Sequence, residues 1–338
     1  MHEAFPFLLN NHKKSKIYNH FLTAEQNQFT VQKLADLGER LMRKENLHHH
    51  FFGDFSLYAV ALYLTLFSLN LPYDPYQFRK DNFFKFSKKS QDHPYLSIRL
   101  SQDKVLEIIL LFEKIISEKI PVEYMTNEAF YMGNTFYVNE HVLVPRSIMN
   151  MRFKDFLGST AWENYRVLDL CTGSGCIGIT LSLLQPNIRV DLADISSLAL
   201  DVAQINIERF DLQERVRCIK SDLFDSIQER YDLIITNPPY VSTHDYNQSP
   251  IEFKKEPKIA LEAGSDGLDI IHRILKEAKA YLNPQGMLIA EVGSASAKKV
   301  KKQYSTIPFK WYKYRRPNGK ESFFDDHGVF QCEAKYLP

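Results

Sequence analysis

The chain has 338 residues, with 42 Lys and Arg residues against 41 Asp and Glu residues. This length accommodates a full α/β domain and a smaller second domain. The charge balance leaves no net field, so bulk charge argues for no particular partner and excludes binding driven by overall charge. Four cysteines in such a chain indicate reduced thiols and a cytoplasmic setting, without the ligand pattern of a metal site.

The N-terminal part of the sequence predicts helices. Residues 1–13 lack the apolar run of a secretory signal peptide, and Thr30 is a candidate N-cap for a helix that extends to about residue 45. Residues 55–71 carry no charge, but the stretch is shorter than the ~20 residues of a membrane span. We therefore expect a buried helix there and no membrane contact. Residues 101–119 predict another helix, because apolar side chains repeat at helical spacing.

Aromatic and basic residues interleave over residues 76–89. Such a mixture can stack on RNA bases while it neutralises phosphate groups. It is also typical of a solvated edge whose aromatic rings point inward. The sequence leaves both interpretations open, so RNA contact through residues 76–89 is a prediction with an alternative.

Two strand-like runs over residues 130–138 predict a β-hairpin. They flank Gly133 and Asn134, a pair of residues typical of hairpin turns. The segment that follows, with Pro145 and Arg146, leads into the second half of the chain.

A predicted strand, a glycine-rich turn and an apolar helical run then follow in direct succession. Gly173, Gly175 and Gly178 satisfy the spacing G-x-G-x-x-G in this context. Glycines at these positions let the backbone approach a nucleotide-like ligand closely at a helix N-terminus. The next predicted strand ends in Asp194, whose carboxylate can bind ribose hydroxyls. The pattern predicts an adenosine cofactor, either NAD or S-adenosylmethionine.

The position of Asp169 favours S-adenosylmethionine. This carboxylate lies at the tip of the first strand, where it suits the ammonium group of a methionine moiety and would repel a pyrophosphate.

A proline-rich tetrapeptide after another buried strand points to the same chemistry. In Asn237-Pro238-Pro239-Tyr240 the two rings stiffen the loop, because each fixes φ and removes an N–H group. The Asn237 side-chain carbonyl and the Pro238 backbone carbonyl can accept both hydrogens of one planar NH₂ group, and the Tyr240 ring can pack against that group. We therefore predict methyl transfer to an amide or exocyclic amine nitrogen rather than hydride transfer.

Strands and helices alternate through this half of the chain, which predicts a doubly wound α/β fold with ligands at the carboxyl ends of the strands. Further strands are expected over residues 216–220, 231–236 and 286–292, a helix over 268–281, and a closing antiparallel pair over 309–314 and 328–331. Candidate cofactor contacts cluster at the strand ends: Asp169, Cys171, Thr172, Gly173, Ser174, Gly175, Asp194, Ile195, Asp222, Leu223 and Asn237.

The tetrapeptide, the glycine loop and residues 120–127 and 143–147 together resemble the protein-glutamine N5-methyltransferases. Residues 126–129 and 144–147 are similar to the branch that acts on the third protein of the large (50S) ribosomal subunit. The resemblance implies a seven-stranded class I, Rossmann-like methyltransferase domain over residues 148–338. It also implies a helical substrate-recognition domain over residues 1–125, with a hairpin linker over residues 126–147.

The resemblance further implies S-adenosyl-L-methionine as cofactor, a glutamine of that large-subunit ribosomal protein as substrate, and Asn237, Pro238, Pro239 and Tyr240 as catalytic residues. Three alternatives stay open: a release-factor glutamine methyltransferase, an adenine-N6 methyltransferase of nucleic acid, and a ribosome-assembly factor without catalysis.

One departure from the family concerns the residues after Ser147. The family usually places a proline and then a glutamate there, over the active site, whereas residues 147–151 contain no carboxylate. Either a neighbouring residue or the loop backbone compensates for the missing carboxylate, or the enzyme is weakened or altered. We expect residues 147–151 to form a lid anchored by Arg146, with activity retained.

Overall fold

The computed structural model describes residues 29–45, 47, 56–72, 94–149, 153, 163–313 and 328–338. These residues form two compact units. The first ends at Thr126 and also includes Ile251–Lys255, and the second comprises Asn127–Pro250 and Glu256–Pro338. The predicted RNA contact at residues 76–89 lies outside the described residues.

The first unit is helical. Its helices are α1 (Val31–Lys44), α2 (Leu57–Ser68), α3 (Gln102–Glu118) and α4 (Val122–Thr126). Hydroxyl side chains of Thr30, Ser56 and Ser101 cap the first three, each accepting a hydrogen bond from the backbone N–H three residues later. Helix α2 is buried on nearly all sides. Within the described residues the three predicted helices are confirmed, and no helix there is long and apolar enough to cross a membrane.

The predicted hairpin is confirmed, with its turn one residue earlier than expected. Strands β1 (Glu128–Tyr131) and β2 (Asn134–Tyr137) pair antiparallel. The turn residues are Met132 and Gly133, at φ values of 53° and 80°. Positive φ at both positions is what a two-residue hairpin turn requires. The hairpin belongs to the second unit.

A seven-stranded sheet forms the centre of the second unit, with strand order β5-β4-β3-β6-β7-β9-β8. Its strands are β3 (Arg166–Leu170), β4 (Arg189–Asp194), β5 (Val216–Lys220), β6 (Tyr231–Thr236), β7 (Leu282–Val292), β8 (Lys310–Lys313) and β9 (Gly328–Glu333). The first five are parallel, and β9 pairs antiparallel with both β7 and β8. The predicted fold class and the closing antiparallel pair are confirmed. The chain order reverses between β3 and β6, where ligands bind in such sheets.

Helices follow the parallel strands and cover the sheet. They are α5 (Cys176–Leu184), α6 (Ser197–Arg209), α7 (Thr243–Gln248), α8 (Asp269–Glu277) and α9 (Ser294–Gln303). Strands β3 and β6 are buried over most of their length, as expected for parallel strands covered on both faces.

Strand β7 begins at Leu282, four residues before the predicted start at Gly286. The sequence from Asn283 to Gly286 contains a proline and a glycine, which are typical of a turn. In the structure Leu282 nevertheless pairs with Tyr231, and the register shifts before the regular ladder resumes at Leu233. The predicted helix over 268–281 likewise ends at Glu277 and continues as a 3₁₀ turn.

Candidate active site

The glycine loop between β3 and α5 is organised by the Asp169 carboxylate. Its Oδ2 atom accepts hydrogen bonds from the Thr172 hydroxyl at 2.7 Å and from the Gly178 N–H at 2.9 Å. Gly173 has φ +56°, and a Cβ added there would meet no atom within 4 Å. The loop therefore presents bare backbone in a conformation that favours glycine, as close approach of a ligand requires.

Asp169 itself is fully buried. Burial raises the pKa of its carboxyl group from 3.8 to about 7, against the lowering effect of the two hydrogen bonds. The Oδ1 atom has no hydrogen-bond partner among the described residues. The side chain lies within the loop rather than among the residues that line the cavity described below. Contact with a methionine ammonium stays a prediction, and Oδ1 is the atom left for it.

Asp194, at the end of β4, is tied to the same loop. Its Oδ2 atom accepts from the Gly173 N–H and its Oδ1 atom from the Ser196 N–H, both at 2.9 Å. Each oxygen keeps a second lone pair for a hydroxyl group. Burial raises the pKa of this carboxyl group. These contacts fix the orientation of the carboxylate, and its binding of ribose hydroxyls stays a prediction.

A cavity of about 250 Å³ brings the predicted residues together. The predicted residues that line it are Cys171, Thr172, Gly173, Ser174, Asp194, Ile195, Asp222, Leu223, Asn237 and Pro239. Four others do not line it: Asp169, Gly175, Pro238 and Tyr240. The cavity thus joins the ends of β3, β4 and β6 to residues 141–147 at one edge of the sheet.

One end of the cavity carries an ion pair that the sequence did not predict. The Arg273 guanidinium on α8 donates to Asp222 Oδ1 at 2.8 Å, and both side chains are partly exposed. Ile195 and Leu223 provide apolar surface in the same cavity. An apolar wall beside a carboxylate suits a purine ring with an exocyclic amine.

The Asn237 side chain lines the cavity directly after β6. Its Oδ1 atom is buried and has no hydrogen-bond partner among the described residues. Buried acceptors are normally paired, so an unpaired one in a cavity indicates a site for a donor from a ligand.

Close backbone contacts fix Tyr240 at the end of the tetrapeptide. A Cβ at Gly293 would lie 2.9 Å and 3.0 Å from two carbons of the Tyr240 ring, and one at Gly267 would lie 2.6 Å from the Tyr240 carbonyl oxygen. The Ser296 hydroxyl donates to that oxygen at 3.0 Å. Burial raises the pKa of the Tyr240 phenol well above its ordinary value. The ring is therefore neutral and held in place.

The chain shares family features with curated proteins along most of its length. The profile of the methyltransferase small domain matches residues 155–254. The ribosomal protein uL3 glutamine methyltransferase of Neisseria gonorrhoeae is 38% identical over 256 residues, which are 74% of this chain and 79% of that protein. The enzyme of the same name from Burkholderia pseudomallei is 35% identical over 85% of this chain and 89% of that protein. The chain belongs to the ribosomal protein uL3 glutamine methyltransferase family.

Solved structures resemble the chain more distantly. A methyltransferase from Pyrococcus furiosus has a TM-score of 0.43 and 16% identity, covering 67% of this chain and 95% of that one. The Thermus thermophilus 16S rRNA N2 G1207 methyltransferase, in complex with AdoMet and guanosine, has a TM-score of 0.43 and 17% identity, covering 61% of this chain and 49% of that one.

Two buried glutamates, whose contacts sequence reasoning missed, hold residues 144–149 of this family member. Glu256 accepts from the Val144 N–H at 3.0 Å and from the Arg146 guanidinium at 2.8 Å. Glu291 accepts from the Ser147 hydroxyl at 2.6 Å and from the Ile148 N–H at 3.0 Å. Glu291 is the penultimate residue of the apolar strand β7, just as Asp169 is of β3. The rule that selected carboxylates at the ends of the other strands would therefore have found it.

Asn206 on α6 is a third missed residue. Its side chain is fully buried and joins the hairpin to the glycine loop. The Oδ1 atom accepts from the Tyr137 N–H at 2.7 Å, and Nδ2 donates to the carbonyl oxygens of Tyr137 and Ser174, both at 2.9 Å. No local pattern marks an asparagine in a helix for this role.

Proposed function

We propose that this protein transfers a methyl group from S-adenosyl-L-methionine to the side-chain amide nitrogen (N5) of a glutamine in ribosomal protein uL3. The buried Oδ1 atom of Asn237, which has no hydrogen-bond partner in the described part of the chain, carries the proposal, because Asn237 lines the cavity. The curated relatives named uL3 glutamine methyltransferase support the substrate. A modifier of a ribosomal protein acts in the cytoplasm, in keeping with the free cysteines.

The residues present fit S-adenosylmethionine. Asp194 would bind the ribose hydroxyls, Ile195 and Leu223 would contact the adenine, and Asp222 would accept from its amine. Gly173 leaves open space beside the loop, and the unpaired Oδ1 atom of Asp169 suits an ammonium group. When bound, this cofactor supplies an electrophilic methyl group on a sulfonium.

Orientation of the acceptor nitrogen supplies most of the catalysis. An amide nitrogen is a poor nucleophile, because its lone pair is delocalised into the carbonyl group. The Asn237 side-chain oxygen and the Pro238 carbonyl oxygen would accept the two N–H hydrogens and aim the lone pair at the methyl group. Orientation of this kind is worth roughly 7–11 kcal/mol of a barrier. The Tyr240 ring would hold the amide plane. After transfer the nitrogen is strongly acidic and loses one proton to water or a carbonyl oxygen.

Glutamine fits this arrangement better than the alternatives. Its NH₂ group extends one methylene further than that of asparagine, and it offers two hydrogens to two acceptors. Adenine offers the same NH₂ group on a much wider ring. We further propose that the helical unit recognises the protein substrate.

The test is methylation of purified substrates. The protein is incubated with isotopically labelled S-adenosylmethionine and, separately, with uL3, a peptide release factor and an adenine-containing RNA, and products are identified by mass spectrometry. A methyl group on one glutamine of uL3 is expected, and Asn237→Ala should remove it. Methylation of the release factor or of adenine, with none on uL3, would overturn the proposal, as would an inactive protein that binds the cofactor.

A further inference from the structure

Glu291 is the penultimate residue of β7 and lies beside the start of the loop of residues 237–240. Strands β6 and β7 are parallel neighbours, and Thr236 pairs with Ala290. Asn237 directly follows β6, and Glu291 is the next residue of β7, where it still pairs with Val329 of β9. The two residues therefore lie side by side at the same edge of the sheet. The Glu291 side chain is 2% exposed. A carboxylate this deeply buried needs a reason in packing or in function.

The Glu291 carboxylate accepts hydrogen bonds from several donors of residues 147–149. Its Oε2 atom accepts from the Ser147 hydroxyl at 2.6 Å and from the Ile148 N–H at 3.0 Å. The Met149 N–H donates to the Ser147 hydroxyl oxygen at 3.2 Å, and a backbone hydrogen bond from Met149 also favours the charged form of Glu291. Ser147 lines the cavity that Asn237 lines. The turn after Arg146 is therefore folded around one side chain from the sheet.

Residues 147–149 contain no carboxylate of their own, and neither do the next two residues of the sequence. The preceding residues 144–146 are held by a different carboxylate, Glu256, through Val144 and Arg146. Each half of the segment thus has one buried acceptor, supplied by a distant part of the chain.

We propose that Glu291 is a positioning residue for methyl transfer, which orders residues 147–149, so holding Ser147 at the cavity that Asn237 also lines, and supplies from β7 the carboxylate that residues 147–151 lack. The inference rests on the proposed function for its catalytic consequence. Its structural part, the ordering of residues 147–149, stands without that function.

Protonation of Glu291 would weaken this hold. Burial raises the pKa of its carboxyl group to about 7, although the hydrogen bonds and Arg146 lower it. The other ionisable groups that interact with it are Tyr131 on β1, Cys176 on α5 and Tyr240, and burial raises the pKa of each well above neutral. These three groups are therefore neutral near pH 7, and the positive charge that interacts with Glu291 comes from Arg146. The ionised form accepts several donors at once, whereas the protonated form gives up part of that capacity. Transfer efficiency should fall as pH drops below about 7.

The matched variants are Glu291→Gln and Glu291→Ala. The glutamine keeps an oxygen that can accept from Ile148, so we expect methyl transfer near the wild-type rate. Because glutamine does not titrate, the fall of kcat/KM in acid that Glu291 causes should be absent from this variant. The alanine should lower kcat/KM for uL3 by about ten- to a hundredfold. Cofactor affinity should stay within about twofold in both variants, because Glu291 does not line the cavity.

Hydrogen exchange gives a readout that needs no activity. In Glu291→Ala the Ile148 amide should lose protection by at least about tenfold, while the Val144 amide, which donates to Glu256, keeps its protection. Unchanged protection of Ile148 in Glu291→Ala would overturn the proposal. At saturating cofactor, which keeps Asp169 ionised, an acid limb in kcat/KM for uL3 that persists unaltered in Glu291→Gln would also overturn it. If uL3 proves not to be a substrate but Ile148 still loses protection selectively, the proposed function fails and the positioning role is retained.

Discussion

Replacing the Asp169 carboxylate by an amide tests whether this buried group meets the cofactor. The side chain is fully buried, its Oδ1 atom has no partner among the described residues, and its pKa is raised to about 7. A methionine ammonium that reaches Oδ1, directly or through one water, favours the ionised form. Cofactor binding below neutral pH should therefore expel a proton from Asp169.

The size of the effect follows from the pKa. Below about pH 7 the ionised fraction of Asp169 falls about tenfold per pH unit, which costs about 1.4 kcal/mol of binding free energy per unit. The dissociation constant of the demethylated cofactor product should therefore be about tenfold larger near pH 6 than at pH values well above neutral, where it no longer changes with pH. The direction of the pH dependence follows from the raised pKa. In acid the Asp169 carboxyl group of the free protein is protonated, so cofactor binding is weaker there.

Isothermal titration calorimetry in two buffers of different ionisation enthalpy measures the released protons. Near pH 6 the wild-type protein should release close to one proton per ligand bound, and Asp169→Asn should release about none, with weaker and nearly pH-independent binding. Glu291→Gln is the matched control, because it removes another buried carboxyl group whose pKa is raised to about 7 and should leave the release intact.

A ligand without the amino-acid part of the cofactor sharpens the assay. 5′-Methylthioadenosine has no ammonium group, so it should bind the wild-type protein without releasing a proton. If the full ligand also releases none, and Asp169→Asn binds it with unchanged affinity at every pH, the reasoning is refuted. Asp169 would then serve the glycine loop alone, through Thr172 and Gly178.

Three further substitutions test the site and its supports. Asn237→Ala should reduce single-turnover transfer by at least about a hundredfold while cofactor affinity stays within about twofold, because one of two acceptors for the amide is lost; equal losses in both would contradict this. Gly293→Ala places a Cβ about 3 Å from the Tyr240 ring and should lower kcat by about tenfold, so an unchanged kcat would count against a fixed ring. Asn206→Ala leaves one N–H and two carbonyl oxygens unpaired, and should lower the free energy of unfolding in urea by on the order of 3 kcal/mol. Gln204→Ala, on the exposed face of the same helix, should not.

Much of the fold could be predicted because its signals are local. Alternating strands and helices fix the class, and glycine spacing after a strand fixes the first loop. The carboxyl ends of parallel strands meet at one edge, which places Asp194 and Asn237 in a common cavity before any coordinates are known. The predicted start of β7 was wrong, because the sequence from Asn283 to Gly286 contains residues typical of a turn but lies within the strand.

The hydrogen bonds that hold residues 144–149 at the site could not be predicted, because the residues that they join are far apart in the chain. The hydrogen bond between Ser147 and Glu291 joins residues 144 positions apart, and that between Arg146 and Glu256 joins residues 110 positions apart. Local pattern gives no information on such pairs. Side-chain direction is a second limit, since a carboxylate at the tip of a strand points either into the cavity or, like Asp169, into its own loop.

Two buried acceptors lie at the ends of neighbouring strands without a partner among the described residues. Leu170 of β3 pairs with Thr236 of β6, and the Oδ1 atoms of Asp169 and Asn237 lie near those ends without partners among the described residues. A buried unpaired acceptor costs about 1–3 kcal/mol. Such a cost is tolerated where a ligand removes it.

This arrangement also selects the chemistry of the substrate side chain. A glutamine amide brings donors to Asn237 and relieves the cost of the unpaired acceptor. A glutamate of the same length brings only lone pairs, so it leaves the acceptor unpaired and adds a negative charge to a buried site. Sites built to pair with a donor reject analogues that lack it far more strongly than apolar pockets reject a change in size. A uL3 variant with glutamate at the acceptor position should therefore be neither methylated nor an effective competitor, and effective competition by that variant would contradict this role of Asn237.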